Sequence, residues 1–139
     1  MIDLQKYTQF VQAITSKDSE SLSEFTGRIH NLSVANALAG VTLNVPLVVT
    51  SAMGMSGEAG EFSEIFKKVL FHGKPFNAET KAHCVKELGD VIWYWTNACR
   101  AIGVDPNDVI QHNVEKLEAR YPGGHFNASS SENRAEGDI

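Results

Sequence analysis

The sequence predicts an all-α protein, and three observations support this fold class. Apolar residues recur at intervals of three and four over most of the chain, which is the periodicity of amphipathic helices. No stretch of useful length alternates apolar and polar residues, as a half-buried strand would. Helix start signals are also present, such as Asp105 followed by Pro106. We expect a bundle of four to five helices.

Five helical stretches follow one another along the chain. They cover residues 2–15, 20–38, 46–71, 78–102 and 106–120. A polar break at 16–19 separates the first two, and a loop at 39–44 precedes the third. Pro46 suits the first turn of its helix, Asn77 fits an N-cap, and Gly103 fits a helix end.

Three glycines lie inside the third predicted helix, at Gly54, Gly57 and Gly60. Each costs about 1 kcal/mol of helix stability relative to alanine. We interpret them as positions that permit close approach of another helix or leave room for a ligand.

The length of 139 residues fits one domain with a substantial core. We assign residues 1–126 to this domain. The segment 127–139 is polar and rich in serine, without apolar periodicity, and we predict a disordered tail.

The net charge of −5, from 12 basic and 17 acidic residues, argues against binding of a nucleic-acid polymer. A nucleotide substrate stays compatible, because a bound metal ion can reverse the local field. The N-terminus does not resemble a signal peptide, and no apolar run is long enough to span a membrane. Cys84 and Cys99 lie too far apart on one helix to form a disulfide. We expect a cytoplasmic protein with reduced thiols, in the host cytoplasm if the gene belongs to a phage.

Two pairs of acidic residues lie on consecutive predicted helices. Glu58 and Glu61 are three residues apart, and so are Glu87 and Asp90. At about 100° per residue, this spacing places both members of a pair on one helical face. These faces also carry apolar residues: Phe62, Ile65 and Val69 in the first helix, and Val91, Tyr94, Ala98 and Ile102 in the second. We therefore expect all four carboxylates to point towards the interior.

Four inward carboxylates need a compensating positive charge. Ionised carboxylates are rarely buried unless they are paired or bind a metal, and neither apolar face carries a lysine or arginine. Mg²⁺ prefers oxygen ligands and keeps positions for water and phosphate. We interpret Glu58, Glu61, Glu87 and Asp90 as ligands of Mg²⁺, with Mn²⁺ as a substitute. The alternative is that the acids lie on solvated faces, as isolated pairs of this spacing commonly do.

The last predicted helix carries polar residues on its apolar face. Asn113, Lys116 and Arg120 share this face with Val109 and Leu117. Arginine can grip phosphate with two hydrogen bonds and lysine acts as a point charge, so these three residues are candidates for binding a triphosphate. An equally weighted alternative is that the long stems cover apolar surface while the charges reach solvent.

Positions flanking the acidic motifs have two interpretations each. Tyr94 follows Asp90 by about one helical turn. Its ring is either a stacking partner for a nucleobase, worth about 1–3 kcal/mol, or part of the core. Glu64 is spaced for an ion pair with Lys68, and the alternative is a supporting role at the metal. We interpret Lys67 and Lys68 as solvated, with contact to phosphate as the alternative.

The acidic motifs resemble those of a known family of enzymes. ExxE in one helix followed by ExxD in the next is similar to the MazG-like nucleoside triphosphate pyrophosphohydrolases. The resemblance extends over Gly57–Glu64, Lys86–Tyr94 and Asn113–Pro122, the last of which resembles the final helix of small phage-encoded members. It covers residues 46–126 and is vague before them.

This resemblance implies a MazG-like bundle that assembles as a homodimer or homotetramer. It also implies hydrolysis of an NTP or dNTP to the monophosphate and pyrophosphate with Mg²⁺. The four acids would hold the metal, and Glu58 or Glu61 would assist the attacking water. The implied role is nucleotide-pool control or removal of damaged nucleotides. Two alternatives stay open: a specialised dUTPase or dCTPase, and a non-catalytic module that binds nucleotides.

Overall fold

A computed structural model describes residues 3–133 of the chain. Within this range it contains helices and no strand, so the predicted all-α class is confirmed. The helices are α1 (Leu4–Ile14), α2 (Lys17–Glu20), α3 (Leu22–Leu38), α4 (Val45–Phe71), α5 (Ala78–Ile102), α6 (Pro106–Arg120) and α7 (Ala128–Glu132). The five long helices match the five predicted stretches closely. No helix within residues 3–133 has the length and apolar character needed to cross a membrane.

Two short helices form where the sequence predicts none. In the predicted polar break, α2 makes a single turn that begins after Ser16, whose hydroxyl oxygen lies 2.9 Å from that of Ser19. In the predicted tail, α7 is capped by Asn127, whose side-chain oxygen accepts a hydrogen bond from the Ser130 amide. Helices this short have no apolar periodicity, which explains why the pattern misses them. The rest of the predicted tail, residues 134–139, lies outside the described residues.

The chain divides into two compact units, Met1–Val45 and Pro46–Ile139. The extent of the predicted domain, residues 1–126, stays a prediction. In the first unit, the Asp3 carboxylate caps α1 by accepting hydrogen bonds from the Gln5 and Lys6 amides, and Ser21 caps α3. No described side chain of α1, α2 or α3 is buried, and this unit contributes no described residue to the acidic motifs.

The second unit is organised around α4 and α5, which run antiparallel. Gly54 of α4 lies against Tyr94 of α5, whereas Phe66, near the end of α4, stacks with Phe76 just before α5. Asn77 caps the start of α5, and Gly103 ends it in the left-handed conformation with φ of 71°, both as predicted.

Helix α6 begins as the sequence predicts. Asp105 caps it, Pro106 is its first residue and Asp108 lies in the first turn, where an acidic side chain complements the helix dipole. It packs against α5.

The buried residues of the second unit lie on α4 and α5. Ile65, Cys84, Cys99 and Ala101 form its apolar core. Both cysteines are free, as predicted. Buried Asn97 is satisfied, since its amide donates to the Trp93 carbonyl and its oxygen accepts from Arg100.

The three glycines of α4 differ in their surroundings. A Cβ at Gly54 would overlap the Tyr94 ring, so this glycine permits close approach of α5, as expected. Nothing lies within 4 Å of a Cβ built at Gly57 or Gly60. Close helix packing is therefore the wrong interpretation for these two positions, and the open space agrees with the alternative of room for a ligand.

Candidate functional site

Three carboxylates from α4 and α5 meet in the second unit. Glu58, Glu61 and Glu87 each offer one oxygen, and these atoms all lie within 4.8 Å of one another. The antiparallel packing explains this meeting, because it places the middle of α4 beside the middle of α5. The predicted convergence of the two acidic motifs is therefore observed for these three residues, which we call the acid cluster.

Burial differs among the four predicted ligands. Glu87 is only 6% exposed and Glu58 is half-buried, but Glu61 and Asp90 are exposed. The expectation that all four point to the interior is therefore wrong for Glu61 and Asp90. Glu61 nevertheless brings an oxygen within 4.8 Å of the Glu58 and Glu87 oxygens, so an exposed carboxylate still reaches the point where the two helices meet.

The pKa of Glu58 is raised above the ordinary carboxyl value of 4.5. Partial burial is the largest cause, followed by a side-chain hydrogen bond with Glu87. The negative charges of Glu61, Asp90 and Glu87 add to the effect. The charges that raise this pKa are all acidic, so a cation bound here would stabilise the Glu58 carboxylate.

Asp90 contributes to the electrostatics of the acid cluster without joining its closest group. Its negative charge reaches Glu58, yet among the described residues the oxygens within 4.8 Å of one another come from Glu58, Glu61 and Glu87. Its predicted role as a fourth metal ligand stays a prediction.

Glu87 has a partner that the sequence interpretation missed. His83 Nε2 lies 2.8 Å from Glu87 Oε1, within hydrogen-bond distance. His83 stands four residues before Glu87 and thus on the same face of α5. The spacing of four residues is the sequence feature that could have predicted this contact. The hydrogen bond fixes the orientation of the one acid in the cluster that is buried.

The donor set suits a hard divalent cation. It consists of carboxylate oxygens, which Mg²⁺, Mn²⁺ and Ca²⁺ accept and which softer metals prefer less. The electrostatics agree, since a cation among Glu58, Glu61 and Glu87 would remove the repulsion that raises the Glu58 pKa. Exposed Glu61 keeps one side of the cluster open to solvent.

Tyr94 occupies a packing position. Its ring lies against Gly54 of α4 and makes an edge-to-face contact with Trp93, with ring centroids 4.8 Å apart. The core interpretation of this residue therefore has direct support. Stacking of the half-buried ring on a nucleobase stays a prediction.

The candidate phosphate ligands of α6 lie at different depths. Asn113 and Lys116 are exposed, whereas Arg120 is half-buried. Within residues 3–133, Lys116 forms no ion pair with any acid of α4 or α5. The proposed binding of a triphosphate by this helix stays a prediction.

Glu64 forms the surface ion pair that its spacing predicts. Its carboxylate lies 3.6 Å from Lys68 Nζ and also pairs with Lys67. Hydrogen bonding to Lys67 is the largest influence on the Glu64 pKa, and together with the charges of both lysines it lowers that pKa.

Comparison with known proteins identifies the family of the second unit. Residues 49–125 match the model of the MazG nucleotide pyrophosphohydrolase domain, and this range contains all four acids of the two motifs. A relative from Mycobacterium phage L5, the Gene 37 protein, is 36% identical over 73 residues. That match covers 52% of this chain and 64% of the length of the phage protein. No solved structure shows a significant match. The chain belongs to the MazG nucleotide pyrophosphohydrolase domain family.

Proposed function

We propose that this protein hydrolyses a nucleoside or deoxynucleoside triphosphate to the monophosphate and pyrophosphate, and that the reaction depends on Mg²⁺. The observation that carries the proposal is the acid cluster, where Glu58, Glu61 and Glu87 bring oxygens within 4.8 Å of one another. Membership of the MazG family supports the reaction type.

The metal would be held by Glu58, Glu61 and Glu87, with Asp90 as a further ligand. When bound, Mg²⁺ would supply positive charge that neutralises the phosphate oxygens of the substrate. Mn²⁺ accepts the same oxygen ligands and would serve as a substitute.

The side chains of the acid cluster have different tasks in this proposal. The hydrogen bond from His83 holds buried Glu87 in one orientation. Glu58 or Glu61 accepts a hydrogen bond from the attacking water and takes its proton as the water oxygen bonds to the α-phosphorus. Exposed Glu61 is the better placed of the two, because solvent reaches its carboxylate directly. The bond from the α-phosphorus to the bridging oxygen breaks, and its electron pair leaves with pyrophosphate.

The remaining substrate contacts are assigned to Tyr94, Asn113, Lys116 and Arg120. Tyr94 would stack on the base with the part of its ring that the Gly54 contact leaves open. The α6 residues would contact phosphate or sugar oxygens. The biological role that follows is control of the nucleotide pool or removal of damaged nucleotides. A dUTPase or dCTPase would perform the same reaction with a narrower base preference.

The direct test is a pyrophosphate assay with every canonical (d)NTP and a set of modified dNTPs, in Mg²⁺, Mn²⁺ or EDTA. We expect equal amounts of pyrophosphate and monophosphate from at least one nucleotide, and none in EDTA. Release of inorganic phosphate with a diphosphate product would contradict the reaction proposed.

Matched variants test whether Asp90 acts as a specific ligand or only adds to the general acidity of the chain. Asp90→Asn should lose most of the activity, whereas Glu115→Gln, an exposed acid of α6, should retain it. Absence of pyrophosphate release with all nucleotides, combined with measurable nucleotide binding, would favour the non-catalytic module instead. Full activity of Asp90→Asn would reject Asp90 as part of the machinery.

We also propose that the protein forms a homodimer or homotetramer. Large apolar side chains of the second unit are exposed in the single chain, including Phe71 at 79%, Ile92 at 62% and Trp93 at 58%. Large exposed apolar side chains are typical of surfaces that another chain covers. Sedimentation should show a species at a multiple of 15.2 kDa, and a lone 15.2 kDa species would overturn this proposal.

A further inference from the structure

A cleft lined by lysines lies beside the acid cluster. It has a volume of about 520 Å³, within the usual range of small-molecule sites. It is formed by the last turns of α4, the segment that follows and the first turns of α5. Lys68, Lys74 and Lys86, one from each of these elements, line it. We call this feature the lysine cleft.

The backbone fixes the position of Lys74 in the lysine cleft. Gly73 adopts the left-handed conformation with φ of 67°, which turns the chain back at the end of α4. The Lys74 amide then donates to the Lys68 carbonyl. The Lys74 side chain is therefore attached to an ordered turn.

The charge of the lysine cleft is not compensated within the protein. Across residues 3–133, neither Lys74 nor Lys86 forms an ion pair, and Lys68 shares Glu64 with Lys67. One acidic residue, Glu79, also lines the cleft. With Lys68 paired to Glu64, Lys74 and Lys86 still outnumber the one acid of the lining, so the charge of this space suits an anion.

Apart from the lysines, polar groups that line the cleft already form hydrogen bonds within the protein. The Thr80 hydroxyl lies 3.0 Å from the Pro75 carbonyl oxygen, and the Asn77 side-chain oxygen accepts from the Thr80 amide. Recognition of an anion would therefore depend on the lysine ammonium groups, which act as point charges without a strict geometry.

His83 joins the lysine cleft to the acid cluster. It lines the cleft, and its Nε2 lies 2.8 Å from Glu87 Oε1. The acid cluster and the lysine cleft are therefore neighbours on α5, separated by one side chain. A linear polyphosphate chain has the charge and shape for this arrangement.

We propose that the lysine cleft binds the β- and γ-phosphates of the triphosphate, the part that leaves as pyrophosphate. This inference rests on the function proposed above. As the bond between the α-phosphorus and the bridging oxygen breaks, negative charge collects on the leaving pyrophosphate. Lys74 and Lys86 stabilise that charge, while the acid cluster faces the α-phosphate where water attacks. The cleft thereby selects triphosphates over monophosphates.

The test measures binding of inorganic pyrophosphate to the full chain in Mg²⁺ by titration calorimetry. The variants are Lys74→Gln, Lys86→Gln and their combination. The matched control is Lys81→Gln, an exposed lysine of α5 that does not line the cleft. We expect each cleft variant to bind pyrophosphate about tenfold more weakly, as for the loss of one charge-assisted hydrogen bond, and the control to match the wild type.

Kinetics provide a second readout. In the double variant, kcat/KM for the triphosphate should fall by at least the loss in pyrophosphate affinity, whereas inhibition by the nucleoside monophosphate should stay unchanged. Circular dichroism establishes that the variants are folded. Wild-type pyrophosphate affinity in the folded double variant, or equal weakening by Lys81→Gln, would overturn the inference.

The outcomes distinguish this inference from the proposed function. If the wild type releases pyrophosphate from a nucleotide but the lysine variants bind pyrophosphate normally, the role of the lysine cleft is rejected and the proposed enzymatic function is retained. If pyrophosphate binding depends on the lysines but no nucleotide is hydrolysed, the proposed enzymatic function is rejected and the anion site in the lysine cleft is retained.

Discussion

Glu58 and Glu64 lie six residues apart on α4, and their pKa values shift in opposite directions. Partial burial and acidic neighbours raise the pKa of Glu58, whereas hydrogen bonds and charges from Lys67 and Lys68 lower that of Glu64. The difference shows that one pair of helices carries two regions of opposite charge. In the proposed function, the acid cluster binds a cation and the lysine cleft beside it binds an anion, so a metal-bound polyphosphate would satisfy both.

The largest expected effect comes from removing a charge of the acid cluster, which tests whether this region has a catalytic role. Glu87→Gln keeps the size of the side chain but removes the charge of the buried acid. We expect turnover of the triphosphate to fall by about 10²–10³-fold, since removal of one preorganised electrostatic contact has this cost. The measurement is steady-state release of pyrophosphate, with circular dichroism as the check on folding.

A milder control separates charge from packing at the same position. Glu87→Asp keeps the carboxylate and should retain more activity than Glu87→Gln. If both variants are as active as the wild type, the acid cluster does not take part in the reaction. The difference in charge between the acid cluster and the lysine cleft would then have no role in catalysis.

The next effect concerns the contact between α4 and α5 at Gly54. Gly54→Ala would place a Cβ into the Tyr94 ring. Overpacking costs about 1–3 kcal/mol, which outweighs the roughly 1 kcal/mol that alanine gains in a helix. We expect the thermal midpoint to fall by several degrees.

Gly57→Ala is the matched control for this experiment. A Cβ at this position has no neighbour within 4 Å, so only the gain in helix propensity remains. The thermal midpoint should rise or stay unchanged. Equal behaviour of the two alanine variants would contradict the antiparallel contact through Gly54.

The sequence predicts the helices well because their signals are local. Asn77, Gly103 and Asp105 mark helix ends by side-chain caps and a left-handed turn, and the structure places each as expected. The convergence of Glu58 and Glu87 is also predicted, because each acid shares a helical face with apolar residues, and apolar faces pack against the neighbouring helix. These inferences need only the period of the helix.

The remaining features depend on tertiary arrangement that periodicity does not contain. Glu61 shares a face with Glu58, yet it is exposed, since helical spacing gives a side but not the width of the contact. The lysine cleft combines Lys68, Lys74 and Lys86 from three elements, and no single helical pattern connects them. His83 is intermediate, because its spacing from Glu87 is visible but the hydrogen bond is not.

A smaller effect is the pH dependence of stability that Glu58 creates. Its folded pKa lies above the unfolded value, so the folded chain binds more protons, and its contribution to stability falls as pH rises above about 4.5. Glu58→Gln removes this penalty. In EDTA, the thermal midpoint of the variant relative to the wild type should therefore increase with pH.

Mg²⁺ should reverse that comparison. A cation stabilises the ionised wild-type carboxylate and binds less well to the variant, so at neutral pH the wild type should gain more from Mg²⁺. If the difference in thermal midpoint between wild type and Glu58→Gln depends on neither pH nor Mg²⁺, Glu58 is a solvated acid with no role in metal binding.

The smallest effect is the opposite pH dependence expected of Glu64. Its folded pKa lies below the unfolded value, so it contributes stability above about pH 4.5 that is lost as pH falls through the folded pKa. Glu64→Gln should lower the thermal midpoint slightly at neutral pH, and the difference should vanish in acid. The side chains of Glu64, Lys67 and Lys68 are 40%, 51% and 43% exposed, so 1 M salt should also abolish the difference. The Glu58→Gln difference should persist in salt, because burial is its largest cause. A Glu64→Gln difference that survives salt, or that increases with acidity, would contradict the charge pattern assigned to α4.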